Sequence, residues 1–238
     1  MRIVETGDLI EAVTGVCPFQ MILLDPGYLP AIEALQALVL SNLEKKELCV
    51  RLTGAEIKNI LAGQGLALGV IVKRRLVAFC ALCFPGRSED NLGREYGLPE
   101  AELSKVTHLE ITLIAPDYRG NDLQRRMFKH LGQLAQSLGR WRYLYSTIAP
   151  ANYPSLKAVM KQGLLIVDLK QKYNHYWRYI LFQNMDRPLQ LDRGQVIPVP
   201  PNDLAAQQKL LQAGYIGFAS RQGPEGVQIL YGRRLTIT

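Results

Sequence analysis

The stretch Leu109–Met127, LEITLIAPDYRGNDLQRRM, reads as a strand that passes through a tight polar turn and opens a helix. Leu109, Ile111 and Leu113 alternate onto one face and His108, Glu110, Thr112 and Ile114 onto the other, after which Leu123 and Met127 take up helical spacing. The first N–H groups of a helix lack intrahelical acceptors, and its dipole favours negative charge there. The stretch is therefore a candidate anion grip.

Working outward, Leu66–Phe84 holds two β-rich runs around Lys73, Arg74 and Arg75, the pattern of a hairpin. Further upstream, Met21–Gly27 is a short apolar strand closed by a turn. Ile32, Leu35, Leu38 and Val39 then mark an amphipathic helix, and Thr53 with Glu56 forms a capping box for a second helix that Gly63 stops. Between the hairpin and the central strand, Pro85–Lys105 is polar and punctuated by Gly and Pro, which predicts a mobile loop.

Downstream, a helix is expected from Asp122 to about Leu138, with Leu123, Met127, Leu131, Leu134 and Leu138 as its apolar stripe and His130 flanking it as a packing residue. Arg142–Ala149 reads as a strand, Asn152–Gly163 holds a helix that starts near Pro154 and stops at Gly163, and two further strands close a unit at about residue 186. Four prolines between Arg187 and Pro201 mark a linker or an edge-hugging segment, followed by a helix at Leu204 and a β-hairpin. Residues 187–238 thus form a folded extension that completes the sheet, covers a site or makes a homodimer contact.

With 238 residues, 48% of them hydrophobic, the chain is large enough to bury a core. A net charge of +7 admits a polyanionic partner such as nucleic acid or a phosphorylated cofactor. The aromatic and basic segments Gly139–Tyr145 and Tyr173–Ile180 read as strands with one aromatic core face, which argues against a nucleic-acid surface. Cys80 and Cys83 fall on opposite faces of one strand, and neither they nor the three histidines suggest a metal site. No apolar run reaches the ~18 residues a membrane helix needs, and the acids in the first residues do not suit a signal peptide, so a cytoplasmic protein is expected.

Glu110 needs a reason to sit on a central strand that helices flank, where an unpaired carboxylate is costly. Two readings stand: a general base lining a cleft with His108 beside it, or a carboxylate paired with a basic side chain.

LIAPDYRGNDLQRRM resembles the pyrophosphate-binding motif of the GNAT superfamily of acyl-CoA-dependent N-acyltransferases, and NYPSLKAVMKQGL resembles that family's later N-x-x-A/S segment. The resemblance covers roughly residues 20–185. It implies an α/β fold with a mixed, mostly antiparallel central sheet and helices on both faces, in a domain spanning 1–186. It implies acetyl-CoA as co-substrate, no metal, and acyl transfer to a primary amine of a small molecule or a protein, with no membrane partner.

By the same resemblance, Leu113 and Ile114 offer backbone groups to the pantetheine arm. Arg119, Gly120, Asn121, Asp122, Leu123, Gln124 and Arg125 wrap the pyrophosphate, Asn152 bonds the pantetheine, and Glu110 with His108 serves the acceptor amine. Two motif glycines are replaced by Asp122 and Gln124, and Val159 stands where relatives place a thiolate-protonating tyrosine, leaving Tyr143, Tyr145, Tyr153 and Tyr173 as nearby substitutes. A non-catalytic acyl-CoA-binding protein and a basic RNA- or tRNA-interacting protein are the rival readings.

Overall fold

Residues 2–173, 175–224 and 226–235 are described by a computed structural model. The chain is an α/β protein that forms two units, Met1–Lys46 with Val50–Trp141, and Glu47–Cys49 with Arg142–Thr238. The strand pairings within each unit are antiparallel.

The first unit contains β1 (Arg2–Glu11), β2 (Gly15–Leu23), α1 (Leu29–Ser41), α2 (Gly54–Asn59), β3 (Gly65–Val72), β4 (Arg75–Cys83), α3 (Leu92–Glu95), β5 (Val106–Ile114) and α4 (Leu123–Ser137). Its strands lie in the order β1-β2-β3-β4-β5. The β3–β4 hairpin turns on Lys73 and Arg74, both at positive φ, as the two-residue turn that suits strand twist requires. Every residue of β4 from Val77 to Leu82 is buried, so both faces of that strand need cover. Helices α1 and α4 both pack on β4 and supply it. At the start of β3 the backbone is so close to its partner that a Cβ on Gly65 would lie 2.1 Å from the Leu82 carbonyl oxygen.

The Thr53–Glu56 capping box forms as predicted, and Gly63, at φ 106, ends the helical stretch. Two expectations change. The N-terminal segment is a full β-hairpin rather than a single strand at Met21; β1 is a mostly exposed edge strand held by backbone pairing to β2, and its apolar residues Ile3, Val4, Leu9 and Ile10 do not alternate. Pro85–Lys105 is an ordered segment: Asn91, fully buried, donates to the carbonyls of Gly86 (2.6 Å) and Leu103 (3.3 Å), and Leu92 and Leu103 are buried beneath it.

The stripe of α4 is also shifted. Its buried residues are Leu123, Met127, Phe128, Leu131, Gly132 and Ala135, and Leu138 is exposed. Trp141 fills the space beside Gly132 and meets Phe128 at 5.6 Å between ring centres.

The second unit contains β6 (Tyr143–Ile148), α5 (Tyr153–Met160), β7 (Leu165–Lys172), β8 (Tyr176–Asn184), β9 (Leu191–Val199), α6 (Leu204–Gln212), β10 (Tyr215–Gly223) and β11 (Gly226–Arg234), with strand order β6-β8-β7-β10-β11-β9. The proline-bearing segment is β9, an edge strand where a missing N–H is tolerated. Residues 191–234 join the preceding strands through the pairing of Gly217 on β10 with Ile166 on β7.

Candidate active site

Strand β5 is not a regular ladder. Ala81 pairs with Ile111 and Leu82 with Leu109, so Glu110 is an extra residue on β5, a β-bulge. Bulges re-aim a side chain and concentrate next to active sites. A period-two reading of the sequence has no means of detecting one.

Beside the bulge lies His108, which is 8% exposed. Its Nε2 accepts the backbone N–H of Leu92 at 3.2 Å, so the ring proton belongs on Nδ1, and Nδ1 faces Glu110 Oε1 at 3.4 Å. His108 therefore orients the Glu110 carboxylate from a tautomer fixed by the ordered loop before β5. Cys83 sits opposite His108 on β4, and burial, with Glu110 and then Glu56 adding negative charge, pushes its thiol up to about 12. It stays a neutral thiol at physiological pH, and the four cysteines are free.

From β5 the chain runs directly into the loop. Leu113 pairs with Phe79 and Ile114 with Ala78 at the end of the strand. Gly120 is in the left-handed region, φ 83, with no atom within 4 Å of where a Cβ would be. Asn121 does not face an open site: its Oδ1 accepts Ile10 N–H at 2.8 Å, and its Nδ2 donates to the carbonyls of Ile10 (2.7 Å) and Tyr118 (3.0 Å).

Asp122 occupies the N-cap position of α4 in a left-handed conformation, φ 57, and its side chain does not cap the helix. Instead it accepts Arg125 Nε at 2.6 Å and Nη2 as well. The first intrahelical bond runs from Arg126 N to Asp122 O, so the N–H groups of Leu123, Gln124 and Arg125 precede the helical ladder. Leu123 is buried, Gln124 half-buried, and Arg119 and Arg125 exposed. Arg126 turns to the other side, donating to Glu5 Oε1 at 2.6 Å and stacking on Phe19. His130 joins it at Glu5 Oε2 (2.9 Å) and is thus a polar partner of β1, not only a packing residue.

The turn of the β1–β2 hairpin clasps this loop, which the loop sequence alone could not reveal. Ala12 N–H donates to Asp117 O at 2.9 Å, Tyr118 OH to Glu11 Oε1 at 2.6 Å, and Lys73 Nζ to Glu11 Oε2 at 2.8 Å. The Lys73 ammonium, with the Thr14 and Tyr118 hydroxyls, lowers Glu11 from its ordinary 4.5 to about 2. A carboxylate lowered by folding contributes stability that is complete above its unfolded pKa and is lost as pH falls through the folded value. Wild-type protein is thus expected to lose stability between pH 4.5 and about 2 through this group, and Glu11→Gln to flatten that limb in thermal unfolding followed against pH. An unchanged acid limb would remove Glu11 as an anchor.

Asn152 lies in the second unit, as the N-cap of α5. Its Oδ1 accepts Ser155 N–H at 3.4 Å and its Nδ2 donates to Leu48 O at 3.1 Å. Val159 is buried on α5. Of the four tyrosines, Tyr143 and Tyr145 are buried, while Tyr173 OH lies 3.1 Å from Thr147 Oγ1. Among the described residues, no group of His, Cys, Asp and Glu is arranged to hold a metal ion, and no helix is long and apolar enough to cross a membrane.

Protein-family models give no match to the chain, and neither do curated protein sequences. Solved structures do match. An acetyltransferase of the GNAT family from Streptococcus pneumoniae aligns over 70% of this chain and 98% of its own, with TM-score 0.54 and 15% identity. A probable acetyltransferase from Staphylococcus epidermidis aligns over 70% and 99%, with TM-score 0.52 and 16% identity. Arabidopsis thaliana NAA60, solved in complex with acetyl-CoA, aligns over 71% and 99%, with TM-score 0.55 and 11% identity. The chain has the GNAT fold.

Proposed function

We propose that the chain is an acyl-CoA-dependent N-acyltransferase that moves an acetyl group from acetyl-CoA to a primary amine of a small molecule or a protein. The supporting observation is the uncapped start of α4. Asp122 is the residue expected to occupy those N–H groups and to repel a phosphate, yet it is turned away and neutralised by Arg125. Three N–H groups, the positive end of a 15-residue helix, open space at Gly120 and the exposed Arg119 together fit a pyrophosphate.

Bound acetyl-CoA supplies an activated thioester, whose carbonyl carbon bonds to the amine nitrogen as the C–S bond breaks and CoA leaves. Glu110, at its bulge and facing His108 Nδ1, would take the proton that the substrate ammonium loses to become the attacking amine, directly or through one water, and the second nitrogen proton would pass to the departing CoA thiolate or to solvent. His108 is a positioning residue. Leu113 and Ile114 would line the pantetheine arm with backbone, and Arg119 to Arg125 would hold the pyrophosphate.

Thermal unfolding tests the cofactor. Acetyl-CoA and free CoA at ~100 times their dissociation constants should each add roughly 2.7 kcal/mol of stability, with no comparable shift from ATP or bulk tRNA. Equal silence from both CoA species would remove the reading, and stabilisation by tRNA alone would replace it with nucleic-acid binding. The buried Val159, which supplies no acid for a leaving thiolate, favours a second reading: a GNAT-fold acyl-CoA binder without turnover. CoA stabilisation together with no CoA release across a broad amine panel would select it.

A further inference from the structure

The segment between β4 and β5 presents one backbone group to the ring beside Glu110. Leu92 N–H, the first of α3, donates to His108 Nε2 at 3.2 Å, and both residues are buried. The residue before it holds that donor in place. Asn91, fully buried, is the N-cap of α3: its Oδ1 accepts Gly93 N–H at 2.8 Å, while its Nδ2 ties the helix to both ends of the segment, at Gly86 O and Leu103 O. Arg94 closes the next turn on Glu100, Nη1 to Oε2 at 3.0 Å and Nη2 to Oε1 at 3.2 Å. Gly93 leaves no slack, because a Cβ there would lie 2.7 Å from Val106 Cγ2 on β5.

This placement constrains more than the direction of the ring. With Leu92 N–H aimed at Nε2, a proton on that nitrogen would set two buried donors against each other. His108 is therefore confined to the neutral Nδ1–H form, although a neighbouring carboxylate in general favours a charged histidine. It faces Glu110 with a donor and no charge. Cys83, opposite on β4, adds none, since burial keeps its thiol neutral. A histidinium in the same place would hold Glu110 as an ion pair and weaken its hold on an incoming proton.

We propose that Leu92, through its backbone N–H, and Asn91, which fixes that N–H, are positioning residues of the acyl transfer: they keep His108 neutral and in one tautomer, so that Glu110 can take the proton of the acceptor. The catalytic meaning of this arrangement rests on the acyl-transfer reading above, whereas the state of the ring does not.

Nitrogen NMR of isotopically labelled histidine side chains in the whole protein, without ligand, reads the ring directly, with His108→Asn identifying its signals. At neutral pH wild type should show the neutral Nδ1–H form. Leu92→Pro removes the N–H at a helix N1 position, which proline suits, and the Asn91 backbone before it (φ −68, ψ 110) is extended, as a following proline favours. That variant should lose the Nδ1–H form, whereas Leu92→Ala, which trims the buried side chain and keeps the N–H, should retain it. In turnover, kcat should fall by about tenfold or more further in Leu92→Pro than in Leu92→Ala, the scale on which losing a partner that fixes a histidine tautomer acts elsewhere, with KM for acetyl-CoA unchanged. Wild type carrying its proton on Nε2, or on both nitrogens, would overturn the proposal even if the proline variant does not fold, and so would an unchanged ring in Leu92→Pro. Wild type that shows the Nδ1–H form but acetylates no amine would overturn the acyl-transfer reading, and the positioning role with it, while leaving the state of the ring as assigned.

Discussion

Glu110→Gln should lower kcat/KM for acetyl transfer by about 10²–10⁴-fold, the usual contribution of a positioned general base, while leaving stabilisation by CoA intact. The substitution keeps the oxygen that faces His108 Nδ1, so bulge, tautomer and packing survive, and what disappears is the ability to take a proton. CoA release measured across an amine panel reads the first effect, and thermal unfolding with CoA reads the second.

A KM-against-kcat split separates Glu110 from His108. His108→Asn should lose the Nδ1 contact and lower kcat less than Glu110→Gln does, because the carboxylate remains but is less well held. Turnover of Glu110→Gln at the wild-type rate would remove Glu110 from the mechanism and leave it as a strand carboxylate partnered by a histidine.

Why Glu110 was visible in the sequence and its bulge was not follows from what each depends on. A carboxylate within an apolar strand flanked by helical patterns is a local contradiction that any period-two reading exposes. A bulge is a fact about two strands, fixed only when Ala81 and Leu82 choose Ile111 and Leu109 as partners. The same distinction explains the hairpin at Lys73 and the capping box at Thr53, which were legible because their chemistry lies within a few residues.

The clasp on the candidate phosphate loop was not legible, since Asn121 meets Ile10 across 111 positions and Glu5 meets Arg126 and His130 across more than 120. Asp122 shows the limit most clearly. Its identity announces an N-cap, and only its left-handed backbone, φ 57, reveals that the side chain goes to Arg125 instead.

Gln207→Ala should be among the most destabilising single changes in the second unit. Gln207 is fully buried on α6, and its Oε1 accepts both Tyr179 OH from β8 (2.6 Å) and Tyr231 OH from β11 (2.8 Å). Its Nε2 donates to the carbonyls of Pro200 (3.2 Å), Pro201 (3.0 Å) and Asp203 (3.2 Å). Burial pushes both tyrosines upward in pKa, so both remain hydroxyl donors at neutral pH. Truncation strands both, at about 1–3 kcal/mol each, with a Tm fall of about 2–4 °C per kcal/mol for a chain of this size. Pro200 and Asp203 keep backbone donors in Asp203 N and Gln207 N, so Pro201 O alone among the three carbonyls loses its partner.

Tyr179→Phe and Tyr231→Phe should each cost less, since Gln207 retains one donor. Combining both with Gln207→Leu should recover much of the loss, because neither hydroxyl is then left in want of a partner and only the half-buried Pro201 carbonyl loses its side-chain donor. That recovery distinguishes a hydrogen-bonded clamp from simple loss of volume, which would deepen with every atom removed. If Gln207→Ala melts within a degree of wild type, α6 is not what fastens β11 to β8, and residues 191–234 are held by strand pairing alone.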